Sequence, residues 1–424
     1  MSEGDKPAPP ISGDYRQDVQ SFGQFWRQVA AIEAARAARE RFLAAHVETV
    51  YRALTNDLRS FVRIERLVLD AARAVPGLVP SAEALAAENA LEQKAKRGLE
   101  IDHGIFLAHV LGSPTSGAHL CHAMLLPRPE ALARLDEFRA RGKIELSTAT
   151  IERHGRAAIV TLRNPRFLNA EDGTTLDESE IAIDLATLDP ESAVAVLRGG
   201  VVEHPKYRGK PIFSAGINLT HLYRGKISFV WYMQRDLGLV NKIFRGLARV
   251  DVSPDELYGG TIEKPWIAQV DGFAIGGGCQ LLLAMDYIVA ASDAYMTLPA
   301  RKEGIIPGAA NLRLPRFVGD RIARQAILYG RRLDCDTPEG RLICDEIAPP
   351  NGVAAAVDRV VEGLTSSGIV SAAGNRRALR VAEEPLDLFR RYMAVYAREQ
   401  AQCHFSPALI DNLERYWNAA QRKL

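Results

Sequence analysis

Three consecutive glycines constrain this chain more than any other feature. They lie in Asp271-Gly272-Phe273-Ala274-Ile275-Gly276-Gly277-Gly278-Cys279-Gln280, between an apolar strand at 266–270 and an apolar helical run at 281–285. Without a Cβ, a backbone reaches positive φ and approaches a neighbour closely. At a strand-to-helix junction the first N–H groups lack intrahelical acceptors and carry partial positive charge. Such a turn suits an oxygen on which negative charge develops. A second segment, Ile212-Phe213-Ser214-Ala215-Gly216-Ile217-Asn218-Leu219, also runs from an apolar strand into small residues. The plainer alternative is that the glycines only shape a tight turn. A dinucleotide-phosphate turn is disfavoured, because the GxGxxG spacing is not met.

Around these turns the chain alternates strand and helix. Strands are expected at 150–154, 157–162, 193–197, 266–270, 287–290 and 295–298, with a helix at 177–188. That order predicts an α/β core over 143–347. Before it, 20–142 is rich in Ala, Leu, Arg and Glu at helical spacing and reads as an all-helical domain, with a helix over 82–97. After it, 348–424 returns to helix at 353–364, 375–382, 386–402 and 407–424. Residues 1–19, polar and Pro-rich at their start, read as a disordered lead and not a signal peptide.

Composition excludes several classes. A formal net charge of +1 argues against a nucleic-acid or membrane partner. No apolar run approaches the roughly 18 residues of a membrane span. Five scattered cysteines, Cys121, Cys279, Cys335, Cys344 and Cys403, lack CxxC spacing and fit reduced thiols in a cytoplasm.

From 157 to about 347 the chain resembles the crotonase (enoyl-CoA hydratase/isomerase) superfamily. The resemblance rests on Asn164-Pro165 with Asn169-Ala170, the segment 213–219, Lys264-Pro265-Trp266-Ile267-Ala268, the segment 272–280, and Leu298-Pro299 with Gly304-Ile305-Ile306-Pro307-Gly308. It implies a core of repeated ββα units, homo-oligomers (trimers or hexamers) and an acyl-CoA thioester substrate. It places the two main-chain donors of an oxyanion hole on Ile217 and Gly277, flanked by Ala215, Gly216, Asn218, Leu219, Gly276 and Gly278. For the phosphate-rich end of CoA it points to Arg166 and to the strip containing His204, Lys206 and Tyr207.

Two glutamates with which hydratases of that superfamily add water are replaced here by Gln280 and Ala300, neither able to take a proton near neutral pH. Glu303, three residues further on, is a candidate substitute. The chain carries other polar groups, Glu171, Arg235 and Gln280, whose donors and acceptors suit ligand hydroxyls; the alternatives are a solvated loop residue and a surface ion pair. This pattern is similar to a branch of the superfamily that works without metal or cofactor. The resemblance implies conversion of a (3,5-dihydroxyphenyl)acetyl-CoA thioester and O₂ to the arylglyoxylate and CoA, as in the supply of a glycopeptide-antibiotic precursor. Ile305, Ile306 and Pro307, with Leu219, could form a dry O₂ pocket, or serve as core packing. The most metal-like run, His119-Leu120-Cys121-His122, lacks a matching second set of ligands, so no metal is expected. Two rivals stay open: an isomerase, thioesterase or decarboxylase of the same fold, and a non-catalytic RNA-binding or scaffold relative.

Overall fold

Four runs rich in Val, Ala and Ile have almost no polar alternation, and they become the parallel centre of a sheet. The computed structural model describes residues 7–29, 32–257, 260–367 and 370–422. Its strands are β1 (Lys143–Glu145), β2 (Ala149–His154), β3 (Ala157–Leu162), β4 (Val194–Gly199), β5 (Trp266–Val270), β6 (Phe273–Ile275), β7 (Tyr287–Ala291), β8 (Tyr295–Thr297), β9 (Leu333–Asp334) and β10 (Glu346–Ala348). A seven-stranded sheet has the order β1-β2-β3-β4-β5-β7-β10, parallel from β3 onward. Strands β3, β4, β5 and β7 are buried along most of their length, as parallel strands covered on both faces must be. The helices Leu176–Leu188 and Val353–Thr365 cover them.

A three-stranded sheet, β6-β8-β9, stands beside it. The chain enters the large sheet at β5, crosses to the small one at β6, and then makes the helix Gly277–Leu282. It repeats the cycle with β7, β8 and the helix Ala300–Glu303. An isolated parallel bridge between Ser214 and Ala274 gives the earlier segment at 212–215 the same place after β4. The expected ββα repeat is therefore present, and both small-residue turns fall where a small-sheet strand hands over to a helix.

The chain divides into two compact units. One is helical, drawn from Met1–Met124, Tyr223–Gln234 and Leu386–Asp411; the other, with both sheets, takes the remainder. The helical region expected to end at 142 thus ends at Met124, and the helix Pro129–Arg141 packs in the sheet-bearing unit against β1 and Leu176–Leu188. The expected disordered lead is also shorter. Asp14 caps a helix that begins at Tyr15, accepting from Gln17 N–H at 2.8 Å, and the buried Asp18 binds His46 at 2.7 Å. Residues 1–6 lie outside the described residues. In the helical unit, a Cβ on Gly104 would fall 2.5 Å from Ala401 Cβ and 2.8 Å from Ala397 O, so Ile101–Gly112 and Leu386–His404 touch backbone to backbone. Helix 82–97 breaks after Asn89. The last long helix stops at Trp417, where Asn418 turns left-handed at φ 56°. No helix among the described residues is long and apolar enough to cross a membrane.

Beneath the large sheet, Lys242 is fully buried, with Nζ 2.8 Å from Glu180 Oε1 and from both carboxylate oxygens of Asp184. Lys242→Met leaves buried Asp184 without a side-chain cation and Glu180 with Arg128 Nη1 at 3.5 Å, so urea unfolding should show a loss of about 3–5 kcal/mol. Replacing Glu180 and Asp184 by leucine in the same chain should recover most of it. A single-variant loss below about 1 kcal/mol, the range of an exposed pair, would mean these charges reach solvent.

Candidate active site

A parallel bridge between Glu171 and Ile217 sets the geometry. Glu171 N–H donates to Gly216 O at 2.7 Å, and Asn218 N–H donates to Glu171 O at 2.8 Å. Because the residues flanking Ile217 make these bonds, the N–H of Ile217 itself points away from Glu171. Ser214 and β6 hold the two turns together: Ser214 N–H donates to Phe273 O at 3.2 Å and Ile275 N–H to Ser214 O at 3.0 Å. The approach is so close that a Cβ on Gly216 would lie 2.8 Å from Gly277 N and 2.4 Å from Ile275 O. One on Gly278 would lie 2.9 Å from Ser214 Cβ. Gly216 and Gly276 also take φ of +77° and +52°, which favour glycine. Among the described residues, the N–H groups of Ile217 and Gly277 meet no acceptor. Two adjoining segments thus each present one unclaimed main-chain donor.

Arg235 ties the polar residues to this turn. It opens a π-helical segment, Arg235–Val240, and is 3% exposed. Nε and Nη2 grip Glu171 Oε1 and Oε2, both at 2.8 Å. Nη1 donates to Asp236 Oδ1 at 2.9 Å and Gln280 Oε1 at 2.8 Å, while Nη2 also donates to Gly277 O at 2.9 Å. All five N–H donors of the guanidinium are therefore matched. Glu171, Arg235 and Gln280, distant in sequence, form one network that fixes the carbonyl of Gly277. The arginine's donors go to the protein, to Glu171, Asp236, Gln280 and the carbonyl of Gly277. Gly308 completes the wall: a Cβ there would fall 2.4 Å from Gln280 Oε1 and 2.8 Å from Asp236 Oδ2.

The neighbour of Glu171 faces the other way, as alternate residues of an extended chain do. Asp172 Oδ2 accepts from Asn218 Nδ2 at 2.8 Å and pairs with His221 Nδ1 at 3.0 Å, and Oδ1 accepts from Thr174. Burial pushes this carboxyl up, but the hydrogen bonds from His221, Thr174 and Asn218 outweigh it and hold it down at about 2. No sequence signal marks this dyad, since Asp172 and His221 are far apart and belong to no motif.

A cavity of about 310 Å³ opens beside Ile217. Arg166, His204, Ala215, Asn218 and Leu219 line it, together with Phe167, Thr220, Trp417 and Arg422, which sequence reasoning missed. Arg422 stacks on Trp417 at 4.0 Å and Arg166 on Phe167 at 5.2 Å, giving two arginine–aromatic pairs on the wall. Lys206 and Tyr207 are not in that lining. Lys206 sits over the Tyr207 ring, which packs on Phe273. Ile305, Ile306 and Pro307 are also absent from it; the two isoleucines are partly exposed. In the helical unit, His119 uses one ring nitrogen on Tyr51 and the other on Leu58 O. Among the described residues no cluster of three or more His, Cys, Asp or Glu could hold a metal ion.

The profile of the enoyl-CoA hydratase/isomerase family matches residues 152–389. The chain is 47% identical over 373 residues to the (3,5-dihydroxyphenyl)acetyl-CoA 1,2-dioxygenase of Amycolatopsis orientalis, covering 88% of this chain and 84% of that one. It is 28% identical over 238 residues to the short-chain-enoyl-CoA hydratase of Clostridium acetobutylicum, 56% of this chain and 82% of that one. The crystal structure of an enoyl-CoA hydratase from Mycobacterium avium subsp. paratuberculosis superposes with a TM-score of 0.52 at 22% identity, covering 63% of this chain and 98% of the other.

A Cβ on Gly277 would lie 2.2 Å from Glu171 Oε2 and 3.0 Å from Arg235 Nη2. Gly277→Ala should therefore destabilise the protein by about 1–3 kcal/mol in thermal or urea unfolding. The control is Gly363→Ala, in Val353–Thr365 with nothing within 4 Å, which should stabilise by about 0.5–1 kcal/mol. Equal effects at the two sites would refute the close packing behind Gly277.

Proposed function

The chain belongs to the enoyl-CoA hydratase/isomerase family, and from that premise we propose its reaction. It is a dioxygenase that converts (3,5-dihydroxyphenyl)acetyl-CoA and O₂ to 3,5-dihydroxyphenylglyoxylate and free CoA, a step that supplies dihydroxyphenylglycine for glycopeptide antibiotics. The observation that carries this reading is the pair of unclaimed main-chain donors at Ile217 and Gly277. Both reach one thioester oxygen and stabilise it as the α-carbon loses a proton and the oxygen gains charge. The likeness to the Amycolatopsis enzyme supports the choice of substrate.

The enolate gives one electron to O₂, and the resulting radical pair joins at the α-carbon as a peroxide. The peroxide attacks the thioester carbon and expels CoA. The O–O bond then breaks as the second α-hydrogen leaves as a proton, which forms the keto group. One thioester and one O₂ thus give one arylglyoxylate and one CoA, with no external reductant. O₂ is a co-substrate, and no metal or cofactor takes part. Hydration of a double bond is not served, because Gln280 and Ala300 offer no proton-accepting group.

Glu171 and Gln280, held by Arg235, read the ring hydroxyls. Glu171 accepts, and the Gln280 amide nitrogen remains to donate once its oxygen is bound to Arg235. The cavity walled by Arg166, His204 and Arg422 takes the CoA chain, with guanidinium groups suited to phosphate. Lys206 and Tyr207, two and three residues after His204, would extend the same approach. Ile305, Ile306 and Pro307, preceding Gly308, supply an apolar path for O₂. The family's homo-oligomeric assembly and a cytoplasmic location complete the proposal.

In an oxygen electrode, uptake should equal the thioester consumed and persist in excess chelator. Under argon, no arylglyoxylate should form. Thioester turnover at an unchanged rate under argon would leave an isomerase, thioesterase or decarboxylase instead. Gln280→Ala should lower kcat/KM for the dihydroxyphenyl substrate by about 10- to 100-fold, the size of one or two buried hydrogen bonds. An unsubstituted phenylacetyl thioester should lose far less; equal losses would show that this side chain does not read the ring.

A further inference from the structure

Every route through the proposed enolate needs a group to accept the α-proton, and the network around Gly277 lacks one that is free. Glu171 is gripped at both oxygens by Arg235, Gln280 is an amide, and His221 is paired with Asp172 on the opposite face. Glu303 differs from all of these. Its side chain is 8% exposed, and no described residue donates to its carboxylate or pairs with it. The other buried carboxylates of the sheet-bearing unit have partners: Glu384 has Arg313, Asp189 has Arg153, and Asp271 has Gln269. A buried carboxylate left alone is unfavourable unless it stays protonated or meets a ligand.

Its placement points to the site. The chain before it is pinned to the glycine turn where Gly276 N–H donates to Thr297 O at 2.8 Å. The chain after it is pinned at Gly308, against Gln280 and Asp236. Glu303 lies between these two anchors, on the short helix Ala300–Glu303. Ala300 and Glu303 are buried there, while Arg301 and Lys302 are exposed. Residues three apart share a helix face, so the carboxylate and a methyl group are turned inward together.

We propose that Glu303 is the base that removes the α-proton of the bound thioester. In that step the α-C–H bond breaks, its electron pair moves into the thioester to form the enolate, and the proton goes to the Glu303 carboxylate. Returning the proton to the departing CoA thiolate frees Glu303 to accept the second α-proton as the O–O bond breaks. Burial supports the assignment by raising its carboxyl to about 7, so that base and acid forms coexist at neutral pH.

The inference rests on the dioxygenase reading but is tested apart from it. Wild-type protein, mixed with the arylacetyl thioester in D₂O under argon, should exchange the α-hydrogens, followed by NMR. Glu303→Gln should slow exchange by at least about 100-fold, the span typical of a general base, while calorimetry shows thioester affinity within a few-fold of wild type. Glu303→Asp should restore part of the rate. Because Glu303→Gln removes an unpaired buried charge, its melting temperature should hold or rise. Exchange by Glu303→Gln at the wild-type rate would overturn the proposal and leave the dioxygenase reading intact. Wild-type exchange without O₂ uptake in air, lost in Glu303→Gln, would do the reverse.

Discussion

A guanidinium sealed from water must find an acceptor for each of its five N–H groups, and the rest of the site is arranged around that demand. Arg235 reaches Glu171, Asp236, Gln280 and the carbonyl of Gly277 at once. A buried ion pair of this kind adds little net stability relative to apolar packing. What it fixes is geometry. With Gly277 O held from one side, the peptide orientation at the glycine turn is set. Glu171, held at both oxygens, likewise fixes the bridge strand that orients Ile217. One side chain thereby couples the two segments that carry the unclaimed main-chain donors, which is the stiffness the proposed oxyanion site needs.

The repeat explains how segments so far apart in sequence meet. Each cycle sends one strand to the large sheet and the next to the small one before entering a helix. Every cycle thus offers a strand-to-helix junction at the same level. Two successive junctions, at Gly216 and Gly276, lie side by side through the Ser214–Ala274 bridge. Close apposition leaves no room for a Cβ at Gly216, Gly277 or Gly278. These glycines are a packing requirement, set by neighbouring backbone at Gly216, by Ser214 at Gly278 and by the Glu171 and Arg235 side chains at Gly277.

The parts of this arrangement that were readable in the sequence are the local ones. The Gly276–Gly278 run, the apolar strands and the loss of acidic residues at Gln280 and Ala300 each show in a short window. What stayed hidden depends on distance. The helical unit borrows Leu386–His404 because Gly104 meets Ala397 and Ala401, a contact that no periodicity reveals. Asp172 with His221, and Trp417 with Arg422 on the cavity wall, are likewise made only by folding. Lys206 was legible as charge but not as position: it rests on Tyr207 instead of joining the cavity. The lead through residue 19 misled for a different reason. Its Pro-rich start is polar, yet Asp14 and the buried Asp18 organise a helix from Tyr15.

Removing two glutamates from a fold that adds water leaves a consequence beyond the lost hydration. An enolate beside a well-placed acid is reprotonated, and the electrons return to a C–H bond. On the proposed reading, the residues nearest the oxyanion turn are a locked set: the Arg235 guanidinium and the Gln280 amide donate hydrogen bonds but are too weak as acids to transfer a proton. Glu171 is pinned by the arginine and cannot swing toward carbon. The enolate then meets O₂, which is small and apolar, along the apolar path proposed at Ile305, Ile306 and Pro307. Selectivity between protonation and oxidation would be set by competition: the proton taken up by Glu303 can return to the α-carbon, which is the exchange expected under argon, whereas in air O₂ captures the enolate first. In this view the same buried cation that orients the donors also holds Glu171 out of the proton exchange, leaving Glu303 as the group whose proton competes with O₂.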